Sequence, residues 1–142
     1  MKIAIGSDHA GFPLKEHLIT YLVRRGNDVV DMGCPSMESV HYPEIAKKVA
    51  NAVEAGSADK GILVCGTGIG MSMVANRVRG VRAALCNDLL SARLSREHND
   101  ANVLCLGARI IAPFLAEEVV RIWIETPFAR GRHAERIAMF DC

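Results

Sequence analysis

Hydrophobic and polar residues along this chain follow two alternating patterns, which predict strands and helices in turn. Short apolar runs without an alternation of polar residues are typical of strands that are buried on both faces of a parallel sheet. Five such runs extend along the chain and predict a parallel sheet. They are Lys2–Gly6, Asp28–Met32, Gly61–Cys65, Val81–Cys86 and Asn102–Leu106.

Between the strands, apolar residues recur three or four positions apart, which is the spacing of amphipathic helices. Prolines stand at first-turn positions of three of these helices, and glycines end two of them. The predicted helices run from Pro13 to Gly26, from Pro43 to Gly56, from Met71 to Val78, from the cap residue Asn87 or Asp88 through Leu94, and from Pro113 to a point before Pro127. A short basic segment, Phe128–Cys142, closes the chain.

The alternation of strands and helices predicts the fold class. It is typical of a Rossmann-like α/β domain in three layers, with a five-stranded parallel sheet and helices on both faces. A length of 142 residues suits one domain, so we predict a single domain over residues 1–142. Ligands of such sheets bind beyond the carboxyl ends of the strands. If the strand order includes 2-1-3, the residues that follow the first and third strands share one crevice. The pattern leaves the order of the fourth and fifth strands open.

Composition and charge narrow the function classes. Lys and Arg (17) exceed Asp and Glu (16) by one, so we expect neither nucleic acid nor an anionic membrane as a partner. The longest charge-free stretch, Gly61–Asn76, has glycines at its centre, which disfavours a membrane span. The five cysteines form no C-x-x-C pair, as is typical of reduced thiols. Met1-Lys2 lead directly into a predicted strand, without the apolar core of a signal peptide. We therefore expect a cytoplasmic protein.

The most informative motif is the loop between the third strand and the third helix, Cys65-Gly66-Thr67-Gly68-Ile69-Gly70. Its glycines allow a sharp turn that brings backbone N–H groups close to a ligand, and at a helix N-terminus these groups favour negative charge. The same field favours the thiolate form of Cys65. The alternative is a structural turn with a small buried cysteine. The loop lacks the arginine of a cysteine phosphatase, and its G-x-G-x-G spacing does not match the dinucleotide fingerprint.

Three more candidate residues follow strands at the ligand side of the predicted sheet. Asp8 and His9 come directly after the first strand, and Arg109 comes shortly after the fifth. Two of them also have a plainer explanation, since Asp8 could cap a turn and His9 could be an exposed loop residue. In the 2-1-3 order, Asp8 and His9 lie near Cys65.

The remaining candidates follow helices or lie in the basic segment. His98 and Asn99 come after the fourth helix, where a histidine commonly interacts with the helix dipole. Arg132 and Arg136 are four residues apart, so on a helix they project to one face and could clamp a phosphate. A solvated basic surface is the alternative for this pair.

Four separated segments carry a family resemblance, in the same order and over essentially the whole chain. They are Met1–Gly11, Ile62–Gly70, Ser95–Asn102 and Gly131–Arg136. Together they resemble the type B ribose-5-phosphate isomerases, a family that includes the galactose-6-phosphate isomerase subunits. The resemblance implies an aldose–ketose isomerase that needs no cofactor and no metal. It also implies a homodimer or a dimer of dimers, in which each site is built from two subunits and segment 128–142 completes a site at the interface.

The resemblance also implies roles for individual residues. Cys65 matches the base that moves the proton between C1 and C2, and Thr67 with the Gly66–Gly70 backbone matches the cradle for an enediolate intermediate. His98 matches the group that opens the sugar ring, with Asn99 beside it. Substrate contacts match Asp8 and His9, and phosphate-side ligands match Arg109, Arg132 and Arg136.

The identity of the base and of the substrate has alternatives. Some members of the family use a glutamate just after the glycine loop as the base, but this chain has Met71 there, so the cysteine version of the site applies. The predicted reaction interconverts ribose 5-phosphate and ribulose 5-phosphate. A six-carbon sugar phosphate, such as allose or galactose 6-phosphate, is the first alternative. A non-catalytic phosphate- or nucleotide-binding module is the second, although it would have no use for Cys65 and His98 together.

Overall fold

The structure is a computed structural model that describes residues 1–141, so Cys142, the last residue of the predicted basic segment, lies outside the described residues. It contains one five-stranded sheet in which all neighbouring strands are parallel. The strands are β1 (Lys2–Ser7), β2 (Asp28–Asp31), β3 (Lys60–Cys65), β4 (Ala83–Leu85) and β5 (Val103–Gly107). The five predicted strands are therefore confirmed, with small differences at their ends.

Within residues 1–141, six helices connect or follow the strands. They are α1 (Phe12–Arg24), α2 (Tyr42–Glu54), α3 (Ile69–Ala75), α4 (Leu89–Glu97), α5 (Pro113–Glu125) and α6 (Arg132–Ala138). Prolines lie in the first turns of α1, α2 and α5, as predicted. Gly26 and Gly56 follow α1 and α2 with left-handed φ values of 82° and 69°, which ends each helix. Of the two candidate caps of α4, Asp88 is the one observed, because its carboxylate accepts the Ser91 N–H at 2.8 Å.

Two elements differ from their predicted bounds. The third helix begins inside the glycine loop, at Ile69, and ends at Ala75 instead of Val78. The fourth strand is limited to Ala83–Leu85, at the edge of the sheet. The side-chain amide of Asn76 covers this edge, since it accepts the Ala83 N–H at 2.8 Å and donates to the Ala83 carbonyl at 2.9 Å. Such side-chain pairing protects an edge strand from other chains.

The order of the strands is β2-β1-β3-β5-β4. It confirms the 2-1-3 arrangement and adds the order of the last two strands, which the sequence pattern left open. In this register Ser7 pairs with Val64, and Cys65 pairs with Gly107. The carboxyl ends of β1, β3 and β5 therefore lie side by side, and the loops that follow them meet at one edge.

Helices pack on both faces of the sheet and form the predicted three layers. One hydrophobic cluster joins the sheet to α1, α4 and α5, and the other joins it to α2 and α3. Along β3, Ile62 and Val64 face the first cluster, whereas Leu63 and Cys65 face the second. The Cys65 side chain therefore points to the layer that contains α3. Within residues 1–141, the helices are all too short or too polar to cross a membrane.

Candidate active site

The glycine loop that follows β3 rests directly on the neighbouring strand. Gly68 has a left-handed φ of 81°, and a Cβ atom built on it would lie 3.0 Å from the backbone carbon of Leu106 and would also clash with Leu85. Any residue other than glycine is therefore disfavoured there by both conformation and space. A Cβ atom on Gly107 would likewise lie 2.7 Å from the Thr67 carbonyl oxygen. The loop and β5 are held in close contact by these two glycines.

Cys65 lies at the base of this loop and is hydrogen-bonded within it. The Gly68 N–H donates to its sulfur over 3.1 Å, and the side chain is buried, with a residue exposure of 6%. An N–H group aimed at the sulfur stabilises negative charge on it. Thr67 is exposed at the mouth of the loop, and its hydroxyl oxygen accepts the Ile69 N–H at 3.3 Å. The loop thus combines a sulfur nucleophile or base with polar groups around it.

The residues after β1 lie at the same edge, as predicted. The Asp8 N–H donates to the Val64 carbonyl at 3.1 Å, and one Asp8 carboxylate oxygen accepts the Gly11 N–H at 3.0 Å. The turn-capping role that the sequence suggested is therefore present, and it engages one of the two oxygens. His9 accepts the Val40 N–H on Nδ1 at 3.4 Å, which connects it to the segment before α2.

Arg109 approaches the loop from the end of β5. Its N–H donates to the Gly66 carbonyl at 3.0 Å, and a Cβ atom on Gly66 would lie 3.6 Å from its Cδ and Nη1 atoms. The guanidinium is exposed, so it places a positive charge beside the glycine loop. This position agrees with a role in binding an anionic substrate.

Two residues at this edge were not predicted to belong to the site, although Asn87 was a candidate helix cap. Tyr42, the first residue of α2, lies over the loop, since a Cβ atom on Gly70 would come within 2.8 Å of its ring. Asn87 accepts the Gly107 N–H on its side-chain oxygen at 2.9 Å and so closes the end of β5. Both residues stand at or just before the start of a helix. In a parallel α/β sheet those helix starts share the carboxyl edge, and this signal could have identified them.

The other predicted residues lie at the opposite edge of the sheet. The helix α4 starts beyond the carboxyl end of β4 and runs back to the amino end of β5, so His98, which caps its C-terminus, lies at the amino edge. The Ala129 N–H donates to the Glu97 carbonyl at 3.0 Å, which brings the segment before α6 to the same place.

The rings of His98 and His133 stack there, with centroids 4.4 Å apart and an angle of 11° between their planes. Arg132 and Arg136 lie on either side of His133 in the sequence, on α6, and are exposed. Partial burial and electrostatic repulsion from the neighbouring His98, Arg132 and Arg136 lower the pKa of His133.

The structure therefore divides the predicted site residues into two groups. The carboxyl-edge group consists of Asp8, His9, Cys65–Gly70 and Arg109. The amino-edge group consists of His98, Asn99, Arg132 and Arg136. Because the sheet separates them, the two groups do not meet within one chain.

The other thiols have different environments from Cys65. All four cysteines of residues 1–141 are free and buried. Burial raises the pKa of the Cys86 and Cys105 thiols, which keeps both protonated at neutral pH. In the described part of the chain, His, Cys, Asp and Glu side chains form no group of three that could hold a metal ion.

Comparison with known proteins assigns the family. The family model described as Ribose/Galactose Isomerase matches residues 3–140. Ribose-5-phosphate isomerase B of Escherichia coli (strain K12) is 47% identical over 136 residues, which cover 96% of this chain and 91% of that protein. The solved structure of Clostridium thermocellum ribose-5-phosphate isomerase B is 49% identical, covers 99% of this chain and 95% of its own chain, and superposes with a TM-score of 0.98. D-erythrulose-4-phosphate isomerase of Pectobacterium atrosepticum is 44% identical over 138 residues, which cover 96% of this chain and 91% of that protein. This chain therefore belongs to the ribose/galactose isomerase family.

Proposed function

We propose that this protein interconverts ribose 5-phosphate and ribulose 5-phosphate as an aldose–ketose isomerase with Cys65 as its base. One observation carries the proposal: the Cys65 sulfur lies inside a glycine loop, and the Gly68 N–H donates to it at 3.1 Å. Family membership supports the reaction class. The loop geometry supports the assignment of the base.

The reaction moves a proton between two neighbouring carbons. From aldose to ketose, the Cys65 thiolate takes the proton from C2, the C–H electron pair forms a C1–C2 double bond, and the carbonyl oxygen on C1 becomes an oxyanion. The proton of the C2 hydroxyl then passes to the oxygen on C1. The thiol returns its proton to C1 as the C2 carbonyl forms, so the sulfur ends as a thiolate again.

The negative charge of this enediolate needs hydrogen-bond donors, and the loop contains them. The first backbone bond of α3 runs from the Ser72 N–H to the Gly68 carbonyl at 3.1 Å, so the N–H groups of Gly70 and Met71 have no acceptor within the helix. One well-aimed donor of this kind is worth about 10²–10³-fold in rate. Because α3 has only seven residues, we assign the stabilisation to these N–H groups themselves and not to a long helix dipole.

We further propose that each active site combines the carboxyl-edge group of one subunit with the amino-edge group of another, in a homodimer or a dimer of dimers. Exposed apolar side chains adjoin the glycine loop, and patches of this kind mark interfaces. They are Ile69 and Met73 on α3, Leu85 on β4, and Leu89 and Leu90 on α4. Leu85 is in direct contact with the position of Gly68, so the patch is continuous with the loop.

In this shared site, the exposed guanidinium groups of Arg132 and Arg136 bind the substrate phosphate. Both lie on α6, one turn apart, so their planar forks project to one side. His98 opens the sugar ring, and Asn99 lies beside it. Arg109 adds a positive charge at the carboxyl edge.

The main alternatives are substrates with a different number of carbon atoms. A relative that is 44% identical is named for a four-carbon substrate, and six-carbon sugar phosphates remain the alternative from the sequence. We place the protein in the cytoplasm, where its free cysteines stay reduced.

To test the proposal, the protein is incubated with ribose 5-phosphate, allose 6-phosphate, galactose 6-phosphate or D-erythrulose 4-phosphate. The formation of the corresponding ketose or aldose isomer is measured for each substrate. We expect the highest kcat/KM with ribose 5-phosphate and complete loss of isomerisation in Cys65→Ala. Cys105→Ala, which removes a buried thiol on the adjacent strand, is the matched control and should keep its activity. Isomerisation by Cys65→Ala at more than a few per cent of the wild-type rate would remove Cys65 from the mechanism. Failure of the wild type on all four sugars would refute the isomerase assignment.

A further inference from the structure

We infer that Arg82 is a positioning residue that holds the two parts of the amino-edge group together. It joins the turn that carries His98 and Asn99 to the C-terminal end of α6, which carries Arg132 and Arg136. This inference rests on the proposed function of those four residues. Arg82 itself touches neither the glycine loop nor the proposed reacting atoms.

The side chain of Arg82 is fixed to the turn after α4. Its Nε donates to the backbone carbonyls of Asn99 and Asp100, at 3.2 and 3.1 Å, and its Nη2 lies 3.4 Å from the Asp100 carboxylate. The backbone of Arg82 is also anchored, because its N–H donates to the Asn102 side chain at 2.8 Å and its carbonyl accepts the Asn102 N–H at 3.1 Å. The guanidinium is therefore held against the turn by a backbone that is anchored just before β4.

The turn itself needs such support. Asp100 has a left-handed φ of 45°, a conformation that glycine adopts freely and that aspartate adopts only occasionally. A second arginine holds it from the other side, since the buried Arg96 donates from Nη1 to the Asp100 carboxylate and to the Ala101 carbonyl, both at 2.7 Å. Arg82 and Arg96 thus clamp the residue that follows Asn99.

The other end of the Arg82 guanidinium reaches the C-terminus of α6. Its Nη1 forms an ion pair with Asp141, whose N–H donates to the Ile137 carbonyl in the last turn of the helix at 2.9 Å. One side chain therefore links the His98–Asn99 turn to the helix that bears the phosphate-binding arginines. The stacked rings of His98 and His133 are the second link between the same two elements.

This link matters for the proposed reaction because the amino-edge group acts on two parts of the same sugar phosphate, which lie a fixed distance apart. The arginines bind the phosphate at one end of the sugar, and His98 acts on the ring oxygen near the other. Binding energy at the remote phosphate helps the reaction only if the groups at the reacting end are held in register with it. A single guanidinium with hydrogen bonds to both elements provides this register.

The test compares Arg82→Lys with Asp141→Asn and Arg79→Ala. Lysine keeps the positive charge but loses the planar fork, so it cannot hold both elements at once. Asp141→Asn removes only the charge of the link to α6. Arg79→Ala is the matched control, because Arg79 is exposed and lines the same cavity of about 610 Å³ beside β4 as Arg82 does.

For Arg82→Lys we expect kcat/KM to fall about 10- to 100-fold, with a lower kcat and weaker inhibition by inorganic phosphate. For Asp141→Asn, we expect a rise of roughly 3- to 10-fold in KM and in the phosphate inhibition constant, with kcat within about twofold of wild type. Arg79→Ala should leave all three constants within about twofold. In NMR spectra, the ring signals of His98 and His133 should shift in Arg82→Lys and not in Arg79→Ala.

Two results overturn the inference. One is an Arg82→Lys protein whose kcat, phosphate inhibition and histidine signals match the wild type. The other is a loss of activity in proportion to the loss of folded protein, with KM and the phosphate inhibition constant unchanged. This second result would show that the role of Arg82 is purely structural. If the wild type isomerises no sugar phosphate, the proposed function fails, whereas the histidine signals still decide whether Arg82 orders the turn.

Discussion

Replacement of Gly68 by alanine tests the geometry of the glycine loop, and the chain offers a matched control for it. Gly68 has φ of 81° and would place a Cβ atom against Leu85 and the backbone of Leu106. Gly26, at the end of α1, has nearly the same φ, 82°, but a Cβ atom there would meet nothing within 4 Å. The two substitutions share the conformational cost of a left-handed alanine, and only Gly68→Ala adds the collision with β4 and β5.

The expected magnitudes follow from these two terms. A left-handed conformation costs alanine about 1–2 kcal/mol, which is the whole effect expected for Gly26→Ala. Forcing a methyl group into a closely packed site adds about 1–3 kcal/mol, so Gly68→Ala should lose roughly 2–5 kcal/mol. At about 2.1 cal/mol/K of unfolding entropy per residue, a chain of 142 residues loses about 3 °C in Tm for each kcal/mol. We therefore expect a fall in Tm of about 3–6 °C for Gly26→Ala and about 6–15 °C for Gly68→Ala.

Thermal unfolding followed by circular dichroism, at one protein concentration, measures both variants, and the isomerase assay follows on the same samples. Gly68→Ala should also lose most of its kcat, because the loop moves and the Gly68 N–H no longer points at the Cys65 sulfur. Gly26→Ala should keep its kcat, since Gly26 precedes β2, at the amino end of an edge strand and away from the glycine loop. Equal losses of Tm in the two variants, or full activity in Gly68→Ala, would refute the close packing of the loop on β5.

Three further predictions concern charge. Burial lowers the pKa of Lys60 from 10.5 to about 8, so its charged form is disfavoured in the folded state below pH 8, and this penalty disappears as the pH rises towards 10.5. Lys60→Met removes the ammonium group, whose Nζ lies 5.1 Å from the centre of the Trp123 ring. The substitution should raise the free energy of unfolding by about 1–2 kcal/mol at pH 7 and have no such effect at pH 10.5 in denaturant titrations. Because the pKa of His133 is lowered in the folded state, the unfolded chain binds the proton more strongly, and Tm should fall as the pH drops below 6.5. His133→Asn should make this fall in Tm between pH 7 and 5 smaller. An unchanged dependence of Tm on pH would contradict this. Arg136→Ala should weaken binding of the sugar phosphate about 10- to 150-fold, with partial recovery in Arg136→Lys; a KM within twofold of wild type would show that Arg136 is only a surface residue.

The fold was predictable from the sequence because its signals are local. Apolar runs mark the strands, and Pro13, Pro43 and Pro113 mark the helix starts, since proline fits the first turn whatever the tertiary contacts are. The order of β4 and β5 was not predictable, because it depends on which strand β3 pairs with and not on any residue pattern. The shortness of β4 was not predictable either, because it depends on tertiary contacts: β4 is an edge strand with one neighbouring strand, and Asn76 covers its other side.

The candidate site was predictable where residues directly follow strands, and less so elsewhere. Asp8, His9 and Cys65 meet at one edge because the 2-1-3 order places their strands together. Tyr42 was missed because its contact with Gly70 joins two distant parts of the chain. The position of His98 at the amino edge follows from the direction of α4, which ends there. The family resemblance assigns His98 a role and implies that it acts across a dimer interface from Cys65, and the path of the chain gives the physical reason for that separation.

Complementation between two inactive variants tests the shared active site directly. Cys65→Ala disables the carboxyl-edge group, and His98→Ala disables the amino-edge group. In a purified heterodimer of differently tagged chains, one of the two sites contains both substitutions and the other contains neither, so about half of the wild-type turnover should return. Each homodimer alone should remain inactive. A heterodimer that is folded and dimeric but isomerises no ribose 5-phosphate, beside an active wild-type dimer prepared in the same way, would contradict the shared site.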